Sequence, residues 1–444
     1  MLKLSKYTLL QKDGKEYLLF NTFSKAFLGV SFSDAKQKDL MEILVNGGSI
    51  SESDMPAGFN VLIDQGILTN LSPEEEDKLL ENSYYSNYFS NDVATITLAP
   101  SLSCNLRCNY CYQSGYRQNS DTLSSGSTWD QDALEFIKKY IGSRKLKKVV
   151  FVWFGGEPLL AYRLLKNFSY GIKEYLAKDP LKIKFDIITN GTILNEDILS
   201  VFGDLPMETA QITIDGPEKS HDRMRPYVNG KGTYRDILKN IAEILHKTDT
   251  SVALRFNLSL ENSALKYFTG LVSEMKKSFG SYVQSRRLRL EYPVLATDAF
   301  SYKNQISLKE YSGNFVGYLR ILADAGIDRD KMFKYMPPFC TTRADNSMVI
   351  GPGGDIYKCW EHIGHQEYVV GNTKTGISKL KEDEWKVVGS HYYHKKCVDC
   401  KLLPVCLGGC PLNWAKYKTE PDCPFFAEPG MFWNILKYTN GVSN

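Results

Sequence analysis

Residues 93–111 read VATITLAPSLSCNLRCNYC, a strand-forming run that opens directly onto Cys104, Cys108 and Cys111. The segment ATITLAP (94–100) is rich in β-branched and apolar residues and predicts a strand. The cysteines therefore fall in the loop just beyond a strand's carboxyl end. In a parallel α/β fold, that end of the sheet is where ligands bind. The spacing is C-x₃-C-x₂-C, and three thiolates supply three of the four ligands of an iron–sulfur cubane. A [4Fe–4S] cluster held here would keep one iron open to a non-protein ligand. Zinc is the alternative, but a zinc knuckle usually shows paired C-x₂-C units and a fourth ligand nearby, and no His stands close in this sequence.

Working outward from this stretch, further strands are predicted at KVVFVWF (148–154), KFDIIT (184–189), AQITID (210–215), SVALRFNLS (251–259) and RLRLEYPVL (287–295). Between them lie apolar residues at helical spacing: Ala133, Leu134, Ile137 and Ile141; Leu164, Leu165, Phe168 and Ile172; Ile237, Leu238, Ile241 and Leu245. Thr128 with Gln131 predicts a capping box for the first of these helices. Six βα units imply a parallel sheet, either doubly wound or curled into a partial barrel. The strand ends carry Gly155-Gly156-Glu157-Pro158, Thr189-Asn190-Gly191 and Asp215-Gly216-Pro217. Each alone is an ordinary strand-to-helix turn, but three in series beside the cysteine loop point to a ligand site. Glycines there let a ligand approach the backbone, and Glu157 is an acceptor suited to an ammonium group.

On the amino-terminal side, YTLLQ, a turn at Asp13-Gly14, EYLLF and AFLGVSF predict three strands, with helices over 33–44 and 60–68. Together they make a winged-helix-like domain over residues 1–90, in which the acidic, Ser/Asn/Tyr-rich segment 72–91 is expected to be a linker. The α/β domain spans 91–330. After a helix starting at a Ser307/Glu310 capping signal, residues 331–444 lose the alternation and hold Cys340, Cys359, Cys397, Cys400, Cys406, Cys410 and Cys423. This third domain is expected to need metal crosslinks to fold. His362/His365 and His391/His394 form two H-x-x-H pairs, which are expected in solvated loops.

Composition narrows the function classes. The chain has 444 residues, 43% apolar and 24% charged, which is globular rather than disordered. Its net charge of +3 gives no overall field for nucleic acid or an anionic membrane. No run approaches the roughly 18 apolar residues of a membrane span, and charges interrupt the amino-terminal MLKLSKYTLLQKDGKEY before a signal-peptide core can form. A cytoplasmic protein keeps its thiols reduced, which makes ten cysteines metal-ligand candidates rather than disulfides.

The spacing of Cys104, Cys108 and Cys111, with Tyr110 before the third, resembles the radical S-adenosylmethionine (SAM) enzymes. The resemblance implies a partial (β/α)6 barrel in which SAM chelates the open iron and Tyr110 lies against the adenine. It also implies that Gly155, Gly156 and Glu157 hold the SAM amino group, that Asn190 belongs to the same site, and that Thr213 and Arg255 meet the carboxylate. The run His221-Asp222-Arg223-Met224-Arg225-Pro226 is also similar to these enzymes, without a stated role. Cys397 to Cys410 read C-x₂-C-x₅-C-x₃-C, and with Gly354 before Cys359 they resemble the SPASM domain of radical SAM peptide maturases. That resemblance implies two auxiliary iron–sulfur clusters, one held by Cys397, Cys400, Cys406 and Cys423, the other by Cys340, Cys359 and Cys410. Some relatives have an eighth cysteine where this chain reads TTRADNSM, so the second cluster is expected to keep an open iron, for a substrate thiol or for a ligand such as His362 or His365.

The resemblance implies an electron from flavodoxin or ferredoxin, a 5′-deoxyadenosyl radical and hydrogen abstraction from a precursor peptide whose leader the first domain binds. The expected product is a crosslink, whether thioether, carbon–carbon or ether, and no catalytic base is assigned. One alternative is an anaerobic sulfatase-maturating enzyme that forms formylglycine. There an Asp commonly follows the cysteine matched by Cys359, whereas this chain has Trp360. The other alternative is a zinc-binding peptide adaptor without catalysis.

Overall fold

The computed structural model describes residues 1–14, 16–31, 34–56, 58–90, 92–114, 127–291, 294–295, 306–327, 340–381, 383–384, 395–411, 423 and 430–440. Phe32, Ser33, His391 and His394 lie outside these described residues. The chain forms two compact units, one of residues 1–89, 330–338 and 387–444, the other of residues 90–329 and 339–386. The cysteine-rich stretch is thereby shared. Cys340 and Cys359 belong to the second unit and the other five carboxyl-terminal cysteines to the first.

In the first unit, β1 (Lys3–Leu4), β2 (Thr8–Asp13), β3 (Glu16–Asn21) and β4 (Phe27–Ser31) precede α1 (Ala35–Val45), α2 (Asn60–Asp64) and β5 (Leu68–Thr69). Strands β2, β3 and β4 form an antiparallel sheet, and β1 pairs with β5. Leu19, Met41, Leu44, Phe59, Leu62 and Ile67 are buried together beneath them. The expected linker is instead α3 (Pro73–Tyr88), a 16-residue helix. Ser72 and Glu75 cap it reciprocally, and Glu74, Glu75 and Glu76 occupy its first turn, where acidic side chains favour the positive end of the helix dipole. Glu76 is buried and accepts from Ser5 Oγ and Lys6 N, and Asp77 pairs with Lys6 Nζ at 2.6 Å. Glu76 and Asp77 are therefore tied to the turn between β1 and β2 rather than solvated.

The carboxyl-terminal segments of this unit pack on the same strands. Cys397 and Leu403 are buried with Tyr7 and Leu80. Lys401 Nζ donates to Thr8 O at 3.0 Å, Thr22 Oγ1 donates to Lys401 O, and Lys437 pairs with Asp13 at 2.6 Å. Burial raises the Cys397 thiol pKa, with Cys400 and Cys423 as its further charge neighbours, so those three cysteines are close in space.

The second unit is built on β6 (Val93–Leu98), α4 (Trp129–Gly142), β7 (Lys148–Trp153), α5 (Tyr162–Tyr175), β8 (Lys182–Thr189), α6 (Glu196–Asp204), β9 (Met207–Thr213), α7 (Glu218–Met224), α8 (Tyr234–Lys247) and β10 (Ser251–Arg255). It continues through β11 (Asn257–Leu258), α9 (Leu265–Gln284), β12 (Leu288–Leu290), β13 (Val294–Leu295) and α10 (Leu308–Asp324) to β14 (Met348–Ile350), β15 (Asp355–Tyr357), β16 (Gly371–Asn372) and β17 (Gly376–Ile377). Strands β6, β7, β8, β9, β10 and β12 are parallel and adjacent in chain order. This order has no switch point, so with right-handed crossovers the helices fall on one face. That is a singly wound α/β sheet rather than a doubly wound one. The helical apolar stripes cover it, with Ala133, Ile137, Leu165, Phe168, Ile237 and Ile241 buried.

Three local departures from the expectations have physical causes. Thr128 stands at the start of α4, but its hydroxyl donates to Asp132 at 2.9 Å and makes no cap with Gln131. The fifth predicted strand breaks at Phe256, because Asn257 N–H turns to Asp215 Oδ1 at 2.9 Å; β11 beyond the break pairs with β13 instead. Beyond β6 the sheet continues through β14 in parallel and then β15, β16 and β17 antiparallel. The Ser307/Glu310 capping box is present at α10. Among the described residues, no helix is long and apolar enough to cross a membrane.

Candidate active site

The loop after β6 carries Cys104, Cys108 and Cys111 and is laid alongside the segment after α7. Leu106 bridges Tyr227, Arg107 N donates to Pro226 O at 2.9 Å, Asn109 N to Met224 O at 3.2 Å, and Val228 N to Asn105 O at 3.0 Å. This gives the HDRMRP run a role. Asp215 N–H donates to His221 Nδ1 (3.2 Å), which assigns the proton to Nε2, facing Thr233 Oγ1 at 2.9 Å; the Thr233 hydroxyl then donates to Arg225 O at 2.8 Å. Asp222 Oδ1 accepts from Thr233 N and Tyr234 N at 2.8 and 2.9 Å, at the head of α8. Burial, with Arg225 next, holds His221 well below its ordinary pKa, as suits a neutral ring in this relay.

A cavity of about 190 Å³ opens at the carboxyl ends of the strands. The three cysteines line it together with Tyr110, Gly155, Gly156, Asn190, Thr213 and Arg255. Thr213 and Arg255 end adjacent strands and are register partners. Arg255 Nε donates to Asn257 Oδ1 at 2.8 Å, so this arginine faces the cavity from an interior strand. Asn190 Nδ2 donates to Cys104 Sγ at 3.8 Å and to Asn105 Oδ1 at 2.8 Å, and Leu106 N also donates to Cys104 Sγ, at 3.4 Å. Donors on a sulfur favour its thiolate form.

The GGEP turn works differently from the expectation drawn from its residues. A Cβ on Gly155 would stand 2.3 Å from Ser101 O, and one on Gly156 would stand 2.3 Å from Leu102 O and Ser103 O. The glycines admit the backbone leading to Cys104, in addition to lining the cavity. Glu157 is fully buried and is not among the lining residues. Its Oε1 accepts from Leu159 N (3.0 Å) and Thr189 Oγ1 (2.7 Å), and its Oε2 from Asn190 N (2.8 Å). Burial raises its pKa while these donors lower it. The carboxylate thus ties the end of β7 to the end of β8. Glu157→Gln places an amide N–H₂ against one of these donors, and the metal-free chain is expected to lose about 1–3 kcal/mol of unfolding free energy. A urea titration checks this, and an unchanged midpoint would remove the brace.

Sequence reasoning missed a second layer. Tyr110 OH donates to Asp215 Oδ2 and accepts from Arg225 Nη1 and from Asn257 Nδ2 (3.1 Å). Arg225 lines the cavity yet is 6% exposed, and its Nε has no hydrogen-bond partner among the described residues. Burial works to lower its pKa, but Cys108, Tyr110 and Asp215 raise it well above the ordinary value, so it is a fixed cation. Burial pushes the Cys108 thiol up to about 11, with Arg225 opposing. The signal for Arg225 was the arginine-bearing run itself, once its backbone pairing to the cysteine loop is known. Phe154, Trp360 and Glu361 also line the cavity, and His362 is buried and stacked on Tyr368 at 3.9 Å rather than solvated.

The three loop thiols share one cavity without converging on a single-ion position; among the described residues no three His, Cys, Asp or Glu side chains do so. Three soft donors in one loop, two of the cavity walls glycine and a buried guanidinium beside Cys108 fit a thiolate-held cluster and an anionic ligand group. Such a loop over the carboxyl ends of a singly wound parallel sheet defines a class: residues 98–254 match the Radical SAM superfamily. The chain is a radical SAM enzyme, and its cofactors are a [4Fe–4S] cluster and SAM. It is 25% identical to the serine-type anaerobic sulfatase-maturating enzyme of Klebsiella aerogenes, over 70% of this chain and 78% of that protein. It is 22% identical to the radical SAM cyclopropyl synthase TigE of Paramaledivibacter caminithermalis, over 92% of this chain and 89% of that one. Its fold is similar to that of Streptococcus suis SuiB bound to precursor peptide SuiA, with a TM-score of 0.53 at 15% identity, covering 95% of this chain and 99% of that chain.

Proposed function

We propose that this enzyme matures a ribosomally made precursor peptide by installing a crosslink. The observation that carries the reading is coverage. In sequence, similarity to TigE spans 92% of this chain against 70–76% for the sulfatase-maturating enzymes; in structure, similarity to SuiB, crystallised with a precursor peptide, spans 95% against 80% for the AdoMet-bound anSMEcpe. In this reading residues 1–90 bind the leader, and the exposed-edge strand β4 is the candidate for strand addition. The cluster on Cys104, Cys108 and Cys111 supplies, with SAM, the hydrogen-abstracting radical. Tyr110, Gly155, Gly156, Asn190, Thr213 and Arg255 form the SAM walls, Arg225 adds a second guanidinium for a carboxylate, and Glu157 fixes Asn190 from behind. The seven carboxyl-terminal cysteines supply thiolates for auxiliary clusters, and a flavodoxin- or ferredoxin-type protein supplies electrons.

A formylglycine-forming enzyme is the second reading, favoured by the sulfatase-maturase similarity and opposed by Trp360, which puts an indole where a carboxylate base is expected after Cys359. Product chemistry separates the two. Cluster-loaded, reduced enzyme is incubated with SAM and a precursor peptide bearing Cys, Asp or aromatic residues in its carboxyl-terminal half. A crosslinked peptide loses two hydrogens and does not react with a hydrazide, and this is the expected result. A hydrazide-reactive aldehyde on a sulfatase-derived peptide, with the precursor untouched, would reverse the order of the readings.

A further inference from the structure

We propose that Phe154, Trp360 and Glu361 form the substrate subsite of the cavity and that it receives a cationic side chain, a lysine or an arginine of the peptide. This rests on the reading of the cavity as the active site of a peptide-modifying radical SAM enzyme.

The cavity walls divide by strand of origin. Thr213, Arg255 and Asn257 come from β9, β10 and β11, and Arg225 joins them through Tyr110 and Asp215. Phe154 follows β7, while Trp360 and Glu361 follow β15. In the sheet, β9 and β10 lie on one side of β8, and β7, β6, β14 and β15 lie on the other. The guanidinium groups and the Glu361 carboxylate thus belong to opposite ends of the site. The first end is suited to a carboxylate such as that of SAM. The second is of different character.

Glu361 carries the one carboxylate among the described lining residues, since Asp215 and Glu157 stand behind the wall. Trp360 is 38% exposed although it is the largest side chain in the wall, and it stacks on Phe154 with centroids 5.6 Å apart and planes at 27°. Aromatic faces beside a carboxylate attract a cation twice, through the ring quadrupole and through the ion pair. An acidic side chain there meets like charge. An apolar one offers the carboxylate neither charge nor hydrogen bond. Specificity therefore arises from exclusion as well as attraction.

The test uses the full chain, cluster-loaded and SAM-bound, immobilised and exposed to a degenerate peptide library whose retained members are sequenced by mass spectrometry. The wild type is expected to enrich Lys and Arg at one position by about tenfold, the factor associated with one charge-assisted contact. Glu361→Gln, which keeps shape, is expected to lose that enrichment, and Glu361→Lys to replace it with Asp and Glu. Any preference owed to the leader-binding unit persists in all three pools and cancels in the comparison. A wild-type pool without cationic preference, or one that Glu361→Lys leaves unchanged, overturns the subsite. Reductive formation of 5′-deoxyadenosine by the wild type is measured separately. Its absence would sink the radical SAM reading, while the library pools would still decide the charge class of the subsite.

Discussion

Replacing Cys104, Cys108 and Cys111 together with alanine is expected to reduce 5′-deoxyadenosine formation from SAM to the background of reductant alone. In the proposed site these three thiols are the ligands this loop offers a cluster, and no other cysteine lines the cavity among the described residues. Enzymes typically accelerate their reactions by at least about a millionfold, so a partial loss is not the expected outcome. The loop itself should persist. Its path is set by Leu106 pairing with Tyr227 and by the Arg107 and Asn109 amides on Pro226 and Met224, none of which needs a thiol. The triple variant is therefore expected to unfold near the wild type when both are metal-free, and to retain iron bound by the carboxyl-terminal cysteines after reconstitution. Chromatographic assay of 5′-deoxyadenosine alongside iron analysis checks both. Continued reductive cleavage of SAM by the variant would move the cluster to other ligands.

The strands of the second unit were legible because KVVFVWF is a short, almost wholly apolar run and AQITID alternates apolar with polar residues, each set between stretches of helical periodicity. The cysteine loop was legible for a different reason: thiols at fixed spacing are chemistry, whatever the fold. What escaped the reading depends on partners distant in sequence. Strand β14 pairs with β6 through Met348 and Ile96, and nothing local in MVI reveals that partner. Helix α3 was missed although its capping box stood in Ser72-Pro73-Glu74-Glu75, because an acidic run was weighed as solvated charge and the buried role of Glu76 depends on Ser5 and Lys6. Glu157 was read as an acceptor, but two of its three donors, Thr189 and Asn190, belong to the next strand end. Trp360 was noticed for the carboxylate it displaces, whereas its place on the cavity wall depends on Phe154, some two hundred residues earlier in the chain.

The Asp215–Arg225 pair carries the second large expectation. Asp215 is fully buried and Arg225 nearly so, with Arg225 Nη1 3.9 Å from Asp215 Oδ2 and Tyr110 OH bridging the two. Asp215 Oδ1 also takes the Asn257 amide. Removing the carboxylate in Asp215→Ala leaves a guanidinium in a low-dielectric site, and breaking one side of such a pair costs about 3–5 kcal/mol. Arg225→Met is expected to cost less, because the carboxyl left behind keeps two donors, and burial already raises its pKa toward the neutral form. The double variant Asp215→Ala/Arg225→Met strands neither charge. Its loss should fall below the sum of the single losses by more than about 1 kcal/mol, the coupling typical of residues in one network. Denaturant titration of the metal-free chains measures all three. Strict additivity would show that the two groups do not sense each other, and Tyr110 would then be held in the cavity wall by Asn257 and packing rather than by this pair. SAM affinity provides the functional counterpart: Arg225→Met removes a cation that lines the cavity, so it is expected to weaken binding even where Asp215→Ala/Arg225→Met has recovered stability. That separation distinguishes a guanidinium that binds from one that merely fills the core.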